Sequence, residues 1–297
     1  MDRGAACRAC GATLAPAEVS GIRDWEYGFP GEFAYRPCPG CGVRQLFPFP
    51  DLDDLREAYR MDYHGHAEPG QKGLLYSLLF RALERTEQAR LSALVAGGAR
   101  VLDVGCGIGL FLAKLRALGA ADLMGIDFSE RAAQAVRARG IPCHQGTFLD
   151  FPAEGGSFDV VVMNNYLEHT LNPAAELEQA RRLLRPGGVL VGELPNFDSL
   201  DRALFGRFWG GNHVPRHTFQ FGPRELRAFL NRAGFSRVRL GYPLNTSHFA
   251  LSVQNLLQRN AADLRNNPAL RHGRAGYYAA LLLALIPLSA VAVLARR

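Results

Sequence analysis

Three things are missing from this sequence, and each absence narrows what the protein can be. No internal repeat and no low-complexity stretch is present, which argues against a solenoid or a disordered chain. The first residues, MDRGAACRACG, lack the apolar core of a signal peptide, so export by that route is not expected. Most of the chain also lacks a charge excess, because six arginines and one acid after residue 250 account for nearly all of the net charge of +6. A general nucleic-acid-binding surface is therefore not expected.

Strands and helices alternate through the middle of the chain. With 297 residues, 48% of them hydrophobic, the protein can bury the core of one large domain with additions. The predicted strands are 100–104, 122–127, 141–144, 158–163, 188–194 and 236–242, and the predicted helices are 73–95, 108–118, 129–139, 173–184 and 223–233. Such alternation predicts an α/β fold of the doubly wound class, with a mostly parallel sheet.

A glycine-rich turn follows the first of these strands, where residues 101–109 read VLDVGCGIG. Gly105, Gly107 and Gly109 let the backbone turn sharply and approach a ligand closely. The helix that follows would point its free N–H groups at that ligand. Asp127 ends the next strand, where an acid can accept hydrogen bonds from ribose hydroxyls. The segment predicts a nucleoside-binding half-domain, and the alternative is a turn that only packs.

Two C-x-x-C pairs stand near the start of the chain. Cys7 and Cys10 form one pair and Cys38 and Cys41 the other, and each pair is followed by a glycine that allows a tight knuckle. Four thiolates suit a tetrahedral structural zinc ion. We therefore predict a zinc-ribbon module over residues 1–60, with disulfides or free thiols as the alternatives. Cys143 and the cysteine inside the glycine turn, Cys106, fall outside this pattern.

The glycine turn, read with the acid before it, has the form D-x-G-x-G-x-G, which resembles motif I of the class I S-adenosylmethionine-dependent methyltransferases. The order S-F-D-V-V, L-E-H, L-x-P-G-G and P-N continues the resemblance. The segments FGRFWGGNHVPRHTFQF and A-G-F resemble a bacterial subgroup with a zinc ribbon that often acts in glycan, lipid or antibiotic-sugar pathways. The resemblance implies a Rossmann-like, seven-stranded sheet and a methyltransferase domain over residues 72–245.

The resemblance also implies which residues hold the methyl donor, S-adenosylmethionine. The methionine part would lie against the glycine turn, the ribose and adenine against the ends of the next two strands, and the sulfonium beside the segment that starts at residue 164. In that order the implied residues are Asp103, Gly105, Cys106, Gly107 and Gly109, then Asp127, Phe128, Thr147, Phe148 and Leu149, then Asn164 and Asn165.

Transfer to oxygen needs a base, and two segments offer one. Glu168 and His169 follow the fourth strand at the edge where open α/β sheets bind ligands, although they could instead only fix the loop. His217, in P-R-H-T-F, is a further candidate in a lid-like segment. Some quinone-type O-methyltransferases of similar pattern bind a divalent metal through an additional acid before L-E-H. Asn164 and Asn165 stand there in this chain, so a catalytic metal is not expected.

These features predict methyl transfer to a small-molecule, sugar or glycan-lipid acceptor at oxygen. The alternatives are methylation of a sugar carbon, and an RNA methyltransferase that grips nucleic acid through the ribbon. The nearly balanced charge of residues 1–50 disfavours the RNA alternative.

The tail, residues 250–297, contains an unbroken apolar run over residues 277–294. As a helix this run would be about 27 Å long, the lower limit for a bilayer span. We predict an apolar C-terminal helix at a membrane surface and a cytoplasmic protein, attached by it to the inner face of the cell membrane. A helix that caps the domain or contacts a second copy is the alternative.

Overall fold

The computed structural model describes residues 6–60, 88–243, 247–258 and 290–297. The strands are β1 (Val19–Ile22), β2 (Phe33–Pro37), β3 (Arg44–Phe47), β4 (Arg100–Val104), β5 (Asp122–Asp127), β6 (Cys143–Gln145), β7 (Phe158–Asn164), β8 (Leu184–Pro195), β9 (Phe219–Gln220), β10 (Ser236–Gly241) and β11 (Ala290–Arg296). The helices are α1 (Leu52–Arg60), α2 (Leu110–Ala117), α3 (Glu130–Ala138), α4 (Pro173–Leu183), α5 (Leu200–Phe205), α6 (Pro223–Arg232) and α7 (Ser247–Leu257), with short 3-10 turns at Leu167–His169 and Gly206–Phe208.

Seven of the described strands form one sheet, in the order β10-β11-β8-β7-β4-β5-β6. The strand β4 pairs in parallel with β5 on one side and with β7 on the other, and β5 pairs in parallel with β6. The apolar strand β4 is buried after its first residue, as expected for a strand covered on both faces. These pairings confirm the predicted Rossmann-like, mostly parallel sheet. The chain reverses its direction of winding beside β4, and open α/β sheets bind ligands at such a point.

The observed boundaries of several strands and helices of the seven-stranded sheet region agree closely with those predicted from the sequence. The predicted strand 122–127 is the observed β5, and the predicted helix 129–139 is observed as α3. Ser129 caps α3, because its Oγ accepts a hydrogen bond from the backbone N–H of Ala132. The strand β8 begins four residues before the predicted strand, at Leu184.

The chain divides into two compact units, each built from separate stretches of sequence. The sheet unit comprises Tyr63–Asn164, Glu178–Val191 and Ala295–Arg297. The N-terminal unit comprises Met1–Asp62, Asn165–Leu177 and Gly192–Leu294. The predicted functional division into residues 1–60, 72–245 and 250–297 stays a prediction.

The N-terminal unit contains a small second sheet with the order β1-β2-β3-β9. Its first three strands pair as antiparallel neighbours. The last strand, β9, comes from far along the chain and pairs with β3, with Phe219 opposite Gln45. Tyr35, Phe197 and Trp209 are fully buried in a cluster beneath this sheet. Apolar and aromatic side chains from three distant segments therefore share one core.

The predicted C-terminal helix was wrong for residues 290–294, which belong to the strand β11. Alanine and valine alternate here, and β-branched valine favours a strand. Ala292, Val293 and Ala295 are buried. The remainder of the predicted helix, residues 277–289, lies outside the described residues. Within the described ranges, the structure contains no helix that is both long enough and apolar enough to span a bilayer.

Candidate functional site

The glycine turn of the sheet unit has the backbone geometry that its sequence predicts. Gly105, Gly107 and Gly109 have φ angles of 68°, 53° and 80°, in the left-handed region that other residues rarely adopt. A Cβ atom at Gly109 would also lie 2.9 Å from Cγ2 of Val136. Gly109 is the N-cap of α2, so the turn brings the N-terminus of this helix to the carboxyl edge of the sheet.

Asp127 is bound to this turn. The backbone N–H of Gly107 donates to its Oδ2 at 2.9 Å, and the backbone N–H of Ser129 donates to its Oδ1 at 2.8 Å. The carboxylate is therefore held at the tip of β5, beside the point where the winding of the sheet reverses. A nucleoside placed against the turn would meet this carboxylate, as the sequence predicts.

Asp103 lies on β4 directly before the turn and is 3% exposed. Burial, and then the nearby charge of Asp127, raise its pKa to about 8. A cationic group of a ligand placed beside this carboxyl would favour its ionised form. The sulfur of Cys106, within the turn, lies 3.9 Å from that of Cys143, so both thiols pack inside the sheet unit.

Two exposed apolar side chains follow β5 and β6. Phe128 is 54% exposed and Leu149 is 45% exposed, and they belong to loops at the ends of paired parallel strands. Thr147 donates through Oγ1 to Asp150 at 2.5 Å, which orders the second loop. Phe148 is 1% exposed, so this residue packs inside the sheet unit and is not open to a ligand. Asn164 ends β7 and is half-buried.

The four N-terminal cysteines converge in the N-terminal unit. The Sγ atoms of Cys7 and Cys41 lie 3.6 Å apart, those of Cys10 and Cys38 lie 3.4 Å apart, and all four lie within 4.8 Å of one another. A disulfide needs about 2.05 Å, whereas tetrahedral zinc with Zn–S bonds of about 2.3 Å places sulfurs roughly 3.8 Å apart. The donor set therefore fits a zinc ion.

Glycines shape both cysteine knuckles. Gly11 and Gly42 have φ angles of 79° and 81°. The backbone N–H of each donates at 2.7 Å to the carbonyl of the first cysteine of its pair, Cys7 or Cys38. This is the role predicted for the glycine that follows each C-x-x-C.

Glu168, His169 and His217 come together elsewhere in the N-terminal unit. Their ligand atoms all lie within 4.8 Å of one another, and the rings of the two histidines have centroids 4.4 Å apart. Thr218 joins the two segments, because its backbone N–H donates to the carbonyl of Glu168 at 2.8 Å and its hydroxyl donates to the carbonyl of Thr170 at 2.5 Å. The structure thus unites the three residues that the sequence singled out as candidates for proton transfer. Asn165, just before them, has a φ of 46°.

Burial controls the charges in this cluster. Burial raises the pKa of Glu168 to about 8, and burial together with the charge of His213 lowers the pKa of His169 to about 3. The pKa of His217 also falls well below its usual value, through burial and then His169. Both imidazoles are therefore neutral at pH 7 and can act as acceptors.

Two buried acids near the cluster, Asp24 and Glu26, were not found from the sequence. His213 lies 3.0 Å from Glu26, and the Arg216 guanidinium, 0% exposed, lies 3.1 Å from Asp24. Burial alone would raise the pKa of Glu26, but the nearby charges, His213 foremost, hold it below its usual value. Residues 24 and 26 carry no recognisable motif, and their partners lie 192 and 187 positions away in the sequence. No local signal pointed to them.

Residues 77–240 match a family model described as a methyltransferase domain. A curated relative, a ubiquinone biosynthesis O-methyltransferase of Cereibacter sphaeroides, is 32% identical over 171 residues, covering 53% of this chain and 69% of that protein. A crystal structure of a SAM-dependent methyltransferase from Archaeoglobus fulgidus has a TM-score of 0.51 at 20% identity, covering 75% of this chain and 98% of that one. The cyclase SpnF has a TM-score of 0.52 at 20% identity, covering 82% of this chain and 90% of that one. At such low identity the two structural likenesses show the fold alone.

Proposed function

The chain belongs to the class I S-adenosylmethionine-dependent methyltransferase family, and we propose that it transfers a methyl group to an oxygen atom of a small-molecule, sugar or glycan-lipid acceptor. The observation that carries the proposal is the attachment of Asp127 to the glycine turn through the N–H of Gly107. This hydrogen bond holds the acid that would contact the ribose against the turn that would contact the rest of the donor.

The donor would contact residues of the sheet unit. The N-terminus of α2 and the buried Asp103 suit the carboxylate and ammonium of the methionine part, while Asp127 suits the ribose hydroxyls. Phe128 and Leu149 offer apolar surface to the adenine ring, and the exposed Thr147 offers polar groups to its edge. S-adenosylmethionine supplies a methyl group on a cationic sulfur, and transfer to a hydroxyl oxygen leaves S-adenosylhomocysteine and one proton.

The chain connects the end of β7 to the candidate proton acceptors over a short distance. Glu168 follows Asn164, the last residue of β7, by four positions, which limits their separation to roughly 14 Å even for an extended chain. We propose that Glu168, His169 and His217 receive or relay the proton of the acceptor hydroxyl. Orientation of the acceptor against the donor could itself supply about 7–11 kcal/mol of the barrier reduction.

The choice of oxygen in a small molecule draws on the relatives named as ubiquinone biosynthesis O-methyltransferases. Carbon methylation of a sugar remains the second candidate. Both reactions would use the same donor site, and the atom that carries the new methyl group in the product distinguishes them. No feature of the described ribbon segment favours RNA.

We further propose that Cys7, Cys10, Cys38 and Cys41 hold a structural zinc ion. The spacing of their sulfurs and the closed set of four thiolates support it. Membrane attachment through residues 277–289 is a separate proposal that rests only on their sequence. Replacing Leu281, Leu282 and Leu283 with serine should move the protein from the membrane fraction to the supernatant, and equal fractionation of both forms would reject it.

The proposed reaction is tested by incubating the purified protein with methyl-labelled S-adenosylmethionine and a small-molecule extract, followed by mass spectrometry. We expect a labelled product whose methyl group is bound to oxygen, with an Asp127→Asn variant giving little product. A label on carbon would replace the oxygen assignment with the second candidate. Label recovered in RNA but not in small molecules would contradict the proposal.

A further inference from the structure

We propose that Cys106 and Cys143 form a site of reversible oxidation, where a disulfide bond between them distorts the glycine turn and prevents donor binding. Their sulfur atoms lie 3.9 Å apart. The other four cysteines of the chain belong to the four-cysteine cluster, and the proposed function gives neither of these two sulfurs a role. Two thiols in contact with each other therefore lie at the proposed donor site, where they can react together.

The backbone brings the two thiols together across β5. Cys106 lies in the glycine turn, and its backbone N–H donates to the carbonyl of Ile126 at 3.0 Å. Cys143 is the first residue of β6 and lies opposite Gly125 of β5. A Cβ atom at Gly125 would lie 2.7 Å from the sulfur of Cys106 and 3.3 Å from that of Cys143. This glycine therefore leaves the space in which the two sulfurs meet.

Cys143 is the more reactive thiol of the pair. A hydrogen bond from the Cys106 thiol, and then the charge of Arg137, lower the pKa of Cys143, against the opposing effects of burial and of Asp127. The same sulfur contact, and then burial, raise the pKa of Cys106. Both cysteines are 8% exposed, so neither is sealed from solvent. Because the thiolate is the form that reacts with an oxidant, oxidation would begin at Cys143.

The oxidant that we propose is a peroxide, with hydrogen peroxide as the simplest case. The thiolate of Cys143 attacks one peroxide oxygen, a sulfur–oxygen bond forms as the oxygen–oxygen bond breaks, and the departing hydroxide takes up a proton to become water. The sulfur of Cys106 then attacks the resulting sulfenic acid. The sulfur–sulfur bond forms, the sulfur–oxygen bond breaks, and a second water leaves with the proton of Cys106. Two electrons pass from the two thiols to one peroxide, and a dithiol reductant returns them by exchange.

Formation of this bond would move the glycine turn. A disulfide has a sulfur–sulfur length of about 2.05 Å, so the two sulfurs must approach each other by roughly 1.9 Å. Cys143 is anchored on β6, because the Arg137 guanidinium donates to its carbonyl at 2.8 and 3.1 Å. Cys106 precedes Gly107, whose N–H holds the carboxylate of Asp127. The movement would therefore weaken the hydrogen bond that joins the turn to this acid, and its effect on donor binding rests on the proposed function.

The first test maps the disulfide in the full chain, without donor or acceptor. Wild type and Cys143→Ser are treated with hydrogen peroxide, alkylated, digested and analysed by mass spectrometry. We expect wild type to yield two peptides joined through Cys106 and Cys143, which dithiothreitol separates, and Cys143→Ser to yield no such pair. Absence of this joined pair from peroxide-treated wild type would overturn the proposal.

The second test follows the glycine turn by hydrogen exchange. The Gly107 amide should exchange at least tenfold faster in oxidised than in reduced wild type, and dithiothreitol should restore the slow rate. Cys143→Ser, treated in the same way, should keep the slow rate. Because peroxide can also reach the four-cysteine cluster, this variant is the matched control. Equal acceleration in wild type and in Cys143→Ser, or none in oxidised wild type, would overturn the proposed movement of the turn.

The third test measures the affinity for S-adenosylhomocysteine by calorimetry. Oxidised wild type should bind at least tenfold more weakly than reduced wild type, whereas Cys143→Ser should bind equally before and after peroxide. Unchanged affinity in oxidised wild type that carries the mapped disulfide would overturn the proposed effect on the donor. If reduced wild type did not bind at all, the proposed function would fail, and the mapping and exchange results would stand independently of it.

Discussion

The glycine turn and the Glu168–His169–His217 cluster differ in how the chain builds them. The contacts described for the turn join residues between Asp103 and Cys143, a continuous stretch of the chain. The contacts of the cluster join segments separated by up to 182 residues, such as Tyr35 and His217. A site made within one strand-turn-helix unit can be inferred from its own sequence. A site made from distant segments depends on the packing of the whole N-terminal unit.

If contacts between distant segments stabilise the N-terminal unit, removing the four-cysteine site should lower the stability of the protein more than any other change. Cys38→Ser should lose its bound zinc and unfold at a much lower temperature, since structural zinc contributes roughly 10–16 kcal/mol to zinc-finger peptides. Zinc analysis and thermal unfolding measure this. Cys143→Ala, outside the cluster, should retain zinc. A Cys38→Ser protein with normal zinc content and normal unfolding would contradict the proposed site.

Breaking the buried ion pair of Arg216 and Asp24 should cause the next largest loss of stability. Arg216→Met leaves Asp24 buried opposite an apolar side chain, and breaking a buried pair typically costs about 3–5 kcal/mol. The matched control is Arg56→Met, which breaks the pair of Arg56 and Asp53, whose side chains are 66% and 87% exposed, and should cost less than about 1 kcal/mol. Denaturant unfolding gives both values. Equal costs would show that the distant contact adds nothing beyond a local one.

The turn itself can be tested at Gly109. Gly109→Ala should destabilise the protein by about 1–2 kcal/mol, because alanine is strained in the left-handed backbone conformation. The added Cβ would also contact Val136 too closely, which should increase the loss of stability. Gly119→Ala is the control, since its φ is 97° but, apart from its chain neighbours, no atom of the described residues lies within 4 Å of the added Cβ. Unfolding experiments and donor titration should show the greater loss at Gly109. Identical losses at both positions would mean that close packing of the turn is unimportant.

The last prediction concerns the pH dependence of stability. Because the folded pKa of Asp103 is about 8, above its usual value of 3.8, the folded state binds more protons between these values. Its contribution to stability therefore falls as pH rises from about 4 to 8. Asp103→Asn should flatten the decline of the unfolding free energy over this range, whereas Asp122→Asn, at an exposed position, should leave it unchanged. An unchanged slope for Asp103→Asn would rule out the raised pKa.

The sequence allowed accurate prediction where the determining contacts are local. The predicted strand 122–127 is observed as β5, and the glycines after each C-x-x-C form the predicted tight turns. It could not reveal the pairing of β9 with β3, because two residues show no periodicity. It also misassigned residues 290–294, since a continuous apolar run does not distinguish a buried strand from a buried helix.

The most direct test of the central claim, that the glycine turn and Asp127 form the donor site, is calorimetric titration with S-adenosylmethionine and S-adenosylhomocysteine. Wild type and the control Asp122→Asn, on the same strand, should bind with equal affinity. Asp127→Asn should bind at least tenfold more weakly, a loss of about 1.4 kcal/mol or more. Absence of binding by folded wild-type protein, or unchanged affinity in Asp127→Asn, would contradict the account.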